Sequence, residues 1–110
     1  MSTRVPSIAA TDVPADAYVL DVREDDEWEA GHTPGAHHVP MMTIPARLEE
    51  LPADGPVVVL CRVGQRSAQV VGYLASRGRD NAVNLDGGIV EWVAAGRPIV
   101  ADDGREPYIA

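Results

Sequence analysis

Runs of apolar residues along the chain predict several short β-strands. The clearest run is Val57–Leu60, four consecutive apolar residues of which three are β-branched. It does not alternate with polar residues, which is typical of a strand buried on both faces in a parallel sheet. Weaker patterns predict strands at residues 18–22 and Ala82–Leu85, and a shorter one that includes His38 and Val39.

Helical periodicity fills the segments between these strands. In residues 67–77, which end before a glycine, the apolar positions at helical spacing are Ala68, Val71, Leu74 and Ala75. Further helices are predicted at Asp25–Ala30, 44–51 and 89–95. Because strands and helices alternate, the pattern predicts βα units and an α/β fold with a mostly parallel sheet. Residues 102–110 have no clear pattern and are either a tail or a docked edge.

The composition indicates one globular domain that occupies residues 1–110. Apolar residues make up 45% of the 110 and charged residues 24%, which is typical of a folded core. The 9 basic residues are all arginine, and 17 acidic residues give a net charge of −8, which argues against binding to nucleic acid or to an anionic membrane. The single cysteine excludes an internal disulfide. Residues 1–10 lack the pattern of a secretion signal, so the sequence predicts a cytoplasmic protein.

The candidate reactive group is Cys61, which directly follows the most apolar strand. Parallel α/β sheets bind ligands at the carboxyl ends of their strands, and the start of a helix directs backbone N–H groups toward an anion. In the loop, Gly64 permits a tight turn, while Arg62 and Arg66 add positive charge. We expect these groups to ionise the thiol below its free pKa of about 8.5 and to make it a nucleophile. The alternative is that Cys61 is a small buried core residue.

Four ordered motifs resemble those of the rhodanese-like sulfurtransferases. They are Leu20-Asp21-Val22-Arg23-Glu24, Gly31-His32-Thr33-Pro34-Gly35-Ala36, Cys61-Arg62-Val63-Gly64-Gln65-Arg66-Ser67 and Leu85-Asp86-Gly87-Gly88-Ile89. Together they lie within about residues 18–98, and the chain departs from the family at Asp25, where proline is frequent. The resemblance implies a rhodanese-like three-layer fold, in which helices flank a mostly parallel central sheet.

The resemblance also implies a two-step sulfur transfer through Cys61. The thiolate takes the outer sulfur of thiosulfate or a similar donor, sulfite leaves, and the resulting persulfide passes its sulfur to cyanide or a thiol. Substrate binding is expected of the loop residues Arg62, Val63, Gly64, Gln65, Arg66 and Ser67. No metal or organic cofactor is required. Metal is also disfavoured at His37 and His38, because adjacent strand residues point to opposite faces and suitable ligands are not spaced nearby.

Several alternatives remain beside a thiosulfate sulfurtransferase. Related domains that hydrolyse phosphate esters use a Cys-x5-Arg loop, whereas the spacing from Cys61 to Arg66 is Cys-x4-Arg, which makes a smaller pocket suited to one sulfur atom. Relatives that use mercaptopyruvate carry a small residue where this chain has Arg62. Persulfide donors or a sulfur-accepting partner protein are also open, and so is a persulfide carrier or regulatory binding module with little turnover of its own.

The residues predicted to support the site are Asp21, Arg23, Glu24 and His32. Asp21 or Glu24 is expected to pair with an arginine and so fix the loops around Cys61. For His32, which lies in a Gly-His-x-Pro-Gly turn, we expect a hydrogen bond to the backbone rather than proton transfer.

Overall fold

The sheet at the centre of the molecule is fully parallel. A computed structural model describes residues 5–110, so the first four residues of the predicted 1–110 domain lie outside the described part. Within that part the strands are β1 (Ser7–Ile8), β2 (Tyr18–Asp21), β3 (His37–His38), β4 (Val57–Leu60) and β5 (Ala82–Leu85). They lie in the order β1-β5-β4-β2-β3, and each neighbouring pair is parallel.

The α-helices follow the predicted segments closely. They are α1 (Asp25–Ala30), α2 (Gln65–Ser76) and α3 (Gly88–Ala94). Helix α2 begins two residues before the predicted start, because Gly64 adopts a φ of 105° and lets the chain turn directly into the helix. The predicted apolar face is wrong at Ala75, which is exposed. The residues that α2 buries are Ser67, Val70, Val71 and Leu74.

Helices cover both faces of the sheet, which gives three layers. Val57 and Val59 of β4 belong to the core shared with α2, whereas Val58 and Leu60 belong to the core shared with α3. All four side chains are buried, as the lack of polar alternation in this strand predicted. The predicted α/β fold, with a parallel sheet flanked by helices, is therefore confirmed.

The segment predicted as a helix at residues 44–51 is not an α-helix. Met41–Glu50 forms 3-10 turns with a break at Arg47, whose φ of −120° and ψ of 19° are not helical. Pro45 lies inside the segment and lacks the N–H group that a continuous α-helix would need. The apolar residues still serve the core, because Ile44 is buried against α2.

The two edge strands are short and only partly match the sequence pattern. Strand β3 occupies His37–His38, one residue earlier than predicted. Strand β1, Ser7–Ile8, was not predicted, and it pairs with β5 alone. Two residues are too few to show a period, so such a strand is defined by its partner rather than by its own sequence.

Of the two alternatives for residues 102–110, the structure shows a docked segment. The Tyr108 N–H donates to the Ala30 carbonyl at 3.0 Å, and Ile109 packs on the core beside α3. Gly31 makes this approach possible, since a Cβ there would lie 2.7 Å from the Tyr108 carbonyl oxygen. The segment therefore packs between the end of α1 and the core beside α3.

None of the helices in residues 5–110 has the length and apolar character that crossing a bilayer requires.

Candidate active site

Cys61 lies at the carboxyl end of β4 and faces the start of α2. The residue is 1% exposed. The Gly64 N–H donates to its Sγ at 3.0 Å, and the Ser67 Oγ lies 3.2 Å from the same sulfur. Gly64 directly precedes α2 and Ser67 lies in its first turn, so the helix start supplies the polar groups that surround the thiol.

Two opposing effects act on the pKa of Cys61. Burial raises it, because a buried thiolate loses its hydration. The Ser67 hydroxyl and the backbone N–H groups of Ser67, Gly64 and Val63 lower it by hydrogen bonding. The second effect is larger, so the pKa of the thiol falls below its ordinary value. This is the direction expected of a cysteine that reacts as a thiolate.

The start of α3 donates hydrogen bonds to the first two carbonyls of the loop. The Ile89 N–H donates to the Cys61 carbonyl at 2.8 Å, and the Val90 N–H donates to the Arg62 carbonyl at 3.2 Å. Gly88 makes this contact possible, since its φ is 63° and a Cβ there would lie 2.5 Å from the Cys61 carbonyl oxygen. With both carbonyls bound to α3, the next N–H groups are free to face the sulfur. The fourth motif is thus part of the site.

A buried amide on β5 contacts both Gly64 and Ser67 of the loop. Asn84 is 8% exposed. Its Nδ2 donates to the Gly64 carbonyl at 3.2 Å, and its Oδ1 lies 2.5 Å from the Ser67 Oγ. From the sequence, Asn84 is predicted only as part of a strand. A polar amide inside an otherwise apolar buried strand was the signal that could have identified it.

Arg66 does not project as a free cation. Its Nη1 and Nη2 donate to the Glu27 carboxylate at 2.8 and 2.9 Å. These bonds lower the pKa of Glu27 to about 2, against burial, which acts in the opposite direction. Glu27 lies on α1 and its side chain is 13% exposed. The charge of Arg66 is thus paired with a carboxylate in this structure, and the expectation that Arg66 binds a donor stays a prediction.

The other loop side chains point outward around the sulfur. Arg62 and Gln65 are exposed, and Val63 is 50% exposed. The Arg62 Nε donates to the Ala110 carbonyl at 3.1 Å, which places the docked C-terminal segment beside the loop. Arg62 thus carries the more accessible positive charge of the two loop arginines.

The predicted supporting acids behave differently from each other. Asp21 and Arg23 form an ion pair with 2.9 Å between Oδ2 and Nη2, and both side chains are fully buried. Arg23 Nη2 also donates to the Gly31 carbonyl at 2.8 Å. Glu24 caps α1 in a reciprocal arrangement with Glu27 and makes no ion pair within the described residues. Of the two acids proposed for an arginine, the structure places Asp21 in that position.

The histidines contact groups other than Cys61 among the described residues, and His32 Nε2 lies 3.0 Å from Asp102 Oδ1. His32 Nδ1 is 2.9 Å from the Trp28 carbonyl oxygen, and the two rings stack at 3.7 Å. His37 stacks on Tyr18, while His38 Nε2 lies 2.8 Å from the Arg23 carbonyl oxygen. In residues 5–110 no three His, Cys, Asp or Glu side chains are grouped so that they could hold a metal ion.

Comparison with known proteins extends over most of the chain. The profile of the rhodanese-like domain matches residues 8–95. A sulfurtransferase of Allochromatium vinosum is 43% identical over 89 residues, which are 81% of this chain and 83% of that protein.

Solved structures show the same similarity in three dimensions. A rhodanese-related protein from Thermoplasma volcanium superposes with a TM-score of 0.81 at 33% identity, over 88% of this chain and 99% of that one. A thiosulfate sulfurtransferase from Pseudomonas aeruginosa gives a TM-score of 0.78 at 30% identity, over 96% of this chain and 22% of its own length. The likeness therefore covers the sheet and its helices as well as the loop around Cys61.

Proposed function

Because the chain belongs to the rhodanese-like domain family, we propose that it is a sulfurtransferase that carries sulfur as a persulfide on Cys61. A relative that is 43% identical bears the name sulfurtransferase, which supports rhodanese-type sulfur transfer. The observation that carries the proposal is the surroundings of one buried sulfur, which accepts from the Gly64 N–H at 3.0 Å and lies 3.2 Å from the Ser67 hydroxyl, a group that can donate to a thiolate. Such donors stabilise a sulfur anion and lower the pKa of the thiol.

The reaction needs a donor and an acceptor but no separate oxidant. The Cys61 thiolate attacks the outer sulfur of thiosulfate; an S–S bond forms to Sγ, the old S–S bond breaks, and sulfite leaves with its electron pair. The outer sulfur of the persulfide is then attacked by cyanide or by a thiolate. The bond to Sγ breaks, the thiolate of Cys61 is restored, and thiocyanate or a new persulfide is released.

The loop performs two tasks in this scheme. The backbone N–H groups of Val63, Gly64 and Ser67 face the sulfur and stabilise negative charge there. Arg62, which is exposed, attracts the anionic donor. Arg66 contributes less to this attraction than the sequence implied, since Glu27 accepts two hydrogen bonds from it.

The experiment measures the intact mass of the reduced protein before and after thiosulfate is added. We expect a gain of one sulfur atom that maps to Cys61, and repeated formation of thiocyanate when cyanide is supplied. Cys61→Ser is the control, since it keeps a small polar side chain at the same place but cannot form the persulfide. If Cys61→Ser still gained sulfur, or if neither thiosulfate nor an organic persulfide loaded the wild-type protein, the proposal would be wrong.

A persulfide carrier that turns over only with a partner protein is the second candidate. The ion pair between Arg66 and Glu27 favours it, because a loop with one arginine neutralised attracts a small dianion weakly. The same mass measurement separates the candidates. Loading on Cys61 without turnover by free cyanide indicates a carrier, whereas many cycles of thiocyanate release indicate an enzyme that uses small molecules.

A further inference from the structure

The Ser67 hydroxyl has two neighbours that can accept its proton, and it has only one proton to donate. Its Oγ lies 2.5 Å from Asn84 Oδ1 and 3.2 Å from Cys61 Sγ. Ser67 is completely buried and Asn84 is 8% exposed, so bulk water does not replace a bond that one of them loses. The side chains therefore have to share one donor.

The orientation of the Asn84 amide decides where that proton lies when the sulfur is neutral. The Gly64 carbonyl can only accept, so the Nδ2 of Asn84 must face it, as the 3.2 Å contact shows. This leaves Oδ1 toward Ser67, and Oδ1 can only accept. The Ser67 hydroxyl consequently donates to Asn84, and its lone pairs face the sulfur. A neutral Cys61 thiol fits this arrangement, since its S–H can donate to the Ser67 oxygen.

The arrangement changes when the thiol loses its proton. A thiolate needs donors, and the Ser67 hydroxyl can turn to it only by leaving Asn84 Oδ1 without one. We propose that Asn84 is a positioning residue that competes with the Cys61 thiolate for the single hydroxyl proton of Ser67, and so makes the thiolate less stable and more nucleophilic. The backbone N–H groups of the loop still favour the thiolate, and Asn84 limits how far they do so.

The inference deepens the proposed function and rests on it for its catalytic meaning. In a persulfide the Sγ of Cys61 is bonded on both sides and neutral, while the negative charge lies on the outer sulfur. The Ser67 proton can then return to Asn84. Asn84 thus disfavours the unloaded thiolate relative to the loaded form, which favours capture of sulfur from the donor.

The test measures the rate of Cys61 alkylation by iodoacetamide as a function of pH. Asn84→Leu has nearly the size of asparagine but neither accepts nor donates, so it releases the Ser67 proton to the thiolate. We expect the pKa of Cys61 to fall by about one unit, as a hydrogen bond gained by a charged group does. The rate at high pH should fall roughly threefold, because nucleophilicity decreases with pKa.

Two further variants make the test specific for the Ser67 proton. In a Ser67→Ala background, Asn84→Leu should leave the pKa of Cys61 unchanged, since no hydroxyl is left to release. Asn84→Asp should raise the pKa, because a carboxylate holds the Ser67 proton more strongly and adds negative charge near the sulfur. Asn84→Asp also provides the test if the leucine variant does not fold.

Asn81→Leu is the matched control. Asn81 also donates to backbone carbonyls, those of Pro52 and Gly55, but it precedes β5 at the end opposite to Cys61. Its loss should affect stability and leave the pKa of Cys61 unchanged.

The inference is overturned if Asn84→Leu leaves the pKa of Cys61 unchanged or raises it. It is also overturned if the shift persists without the Ser67 hydroxyl, or if Asn84→Asp fails to raise the pKa. Alkylation needs no sulfur donor, so these outcomes do not depend on whether thiosulfate loads Cys61.

Discussion

Breaking the ion pair between Arg66 and Glu27 is expected to lower the stability of the protein and to improve its use of thiosulfate. Glu27→Gln removes one negative charge but keeps an oxygen that can accept from the Glu24 N–H, as Glu27 does at 2.9 Å. The substitution therefore tests the charge of Glu27 without removing the start of α1. It leaves Arg66 as a cation beside the loop that holds Cys61.

The size of the stability effect follows from the pKa of Glu27. Its fall from 4.5 to about 2, caused first by the hydrogen bonds from Arg66, sets an upper limit of about 3 kcal/mol at 1.36 kcal/mol per unit of pKa. The Arg66 side chain is 33% exposed, so water screens the pair and a loss of about 1–2 kcal/mol on Glu27→Gln is the better expectation.

The pH dependence has a definite sign. The pKa of Glu27 is lower in the folded protein, so its contribution to stability is complete above the ordinary pKa of 4.5 and is lost as the pH falls toward about 2. Urea unfolding of wild type and Glu27→Gln should therefore show a gap near neutral pH that shrinks at about pH 3. Glu29→Gln is the matched control, because Glu29 lies exposed on the same helix and makes no ion pair in residues 5–110.

Donor use should improve in the same variant. Without the Glu27 carboxylate, the charge of Arg66 is available to thiosulfate, and we expect this to strengthen binding by about 0.5–1 kcal/mol. That gain corresponds to a KM roughly two- to fivefold lower. Steady-state thiocyanate formation measures this, with Glu29→Gln again as reference. If Glu27→Gln were as stable as wild type near neutral pH, or if the gap were the same at low pH, the account of this ion pair would be refuted.

Three other substitutions are expected to change the free energy of unfolding, which urea unfolding measures for each variant. Gly88→Ala should cost about 2–3 kcal/mol and slow sulfur loading, because its Cβ would press on the Cys61 carbonyl, 2.5 Å away. Gly72→Ala should instead stabilise the protein by about 0.5–1 kcal/mol, since Gly72 is exposed within α2 and the nearest atom to an added Cβ is 4.0 Å away. Asp21→Asn should cost about 3–5 kcal/mol, because it leaves the charge of Arg23 buried without its partner.

The sequence predicted those strands and helices that have a clear pattern of apolar residues. The apolar run at Val57–Leu60 was sufficient to predict the central strand and the position of Cys61 at its carboxyl end. The resemblance to rhodanese-like domains is confirmed over residues 8–95. Strand β1 was missed because two residues carry no period. The 3-10 segment was misread because its apolar spacing is helical, while Pro45 prevents a continuous α-helix.

Polar contacts between residues far apart in the chain could not be predicted from the sequence, for a different reason. Arg66 meets Glu27 across 39 residues of chain, and the sequence contains 17 acids that could have been its partner. Only the register of β2 beside β4 brings α1 close enough for Glu27 to reach the loop. The ion pairing of the loop residue Arg66 is thus decided by an element that follows a neighbouring strand.

The last motif also contacts the loop around Cys61, which lies more than twenty residues before it in the chain. Each backbone carbonyl in a buried loop needs a donor, and unsatisfied ones are costly. At Cys61 and Arg62 the start of α3 supplies those donors, and at Gly64 the Ala68 N–H of α2 and the Asn84 amide of β5 both supply one. A change in β5 or α3 therefore alters which N–H groups face the sulfur. We expect variants that change the reactivity of Cys61 to occur in residues 84–90 as well as in the loop itself.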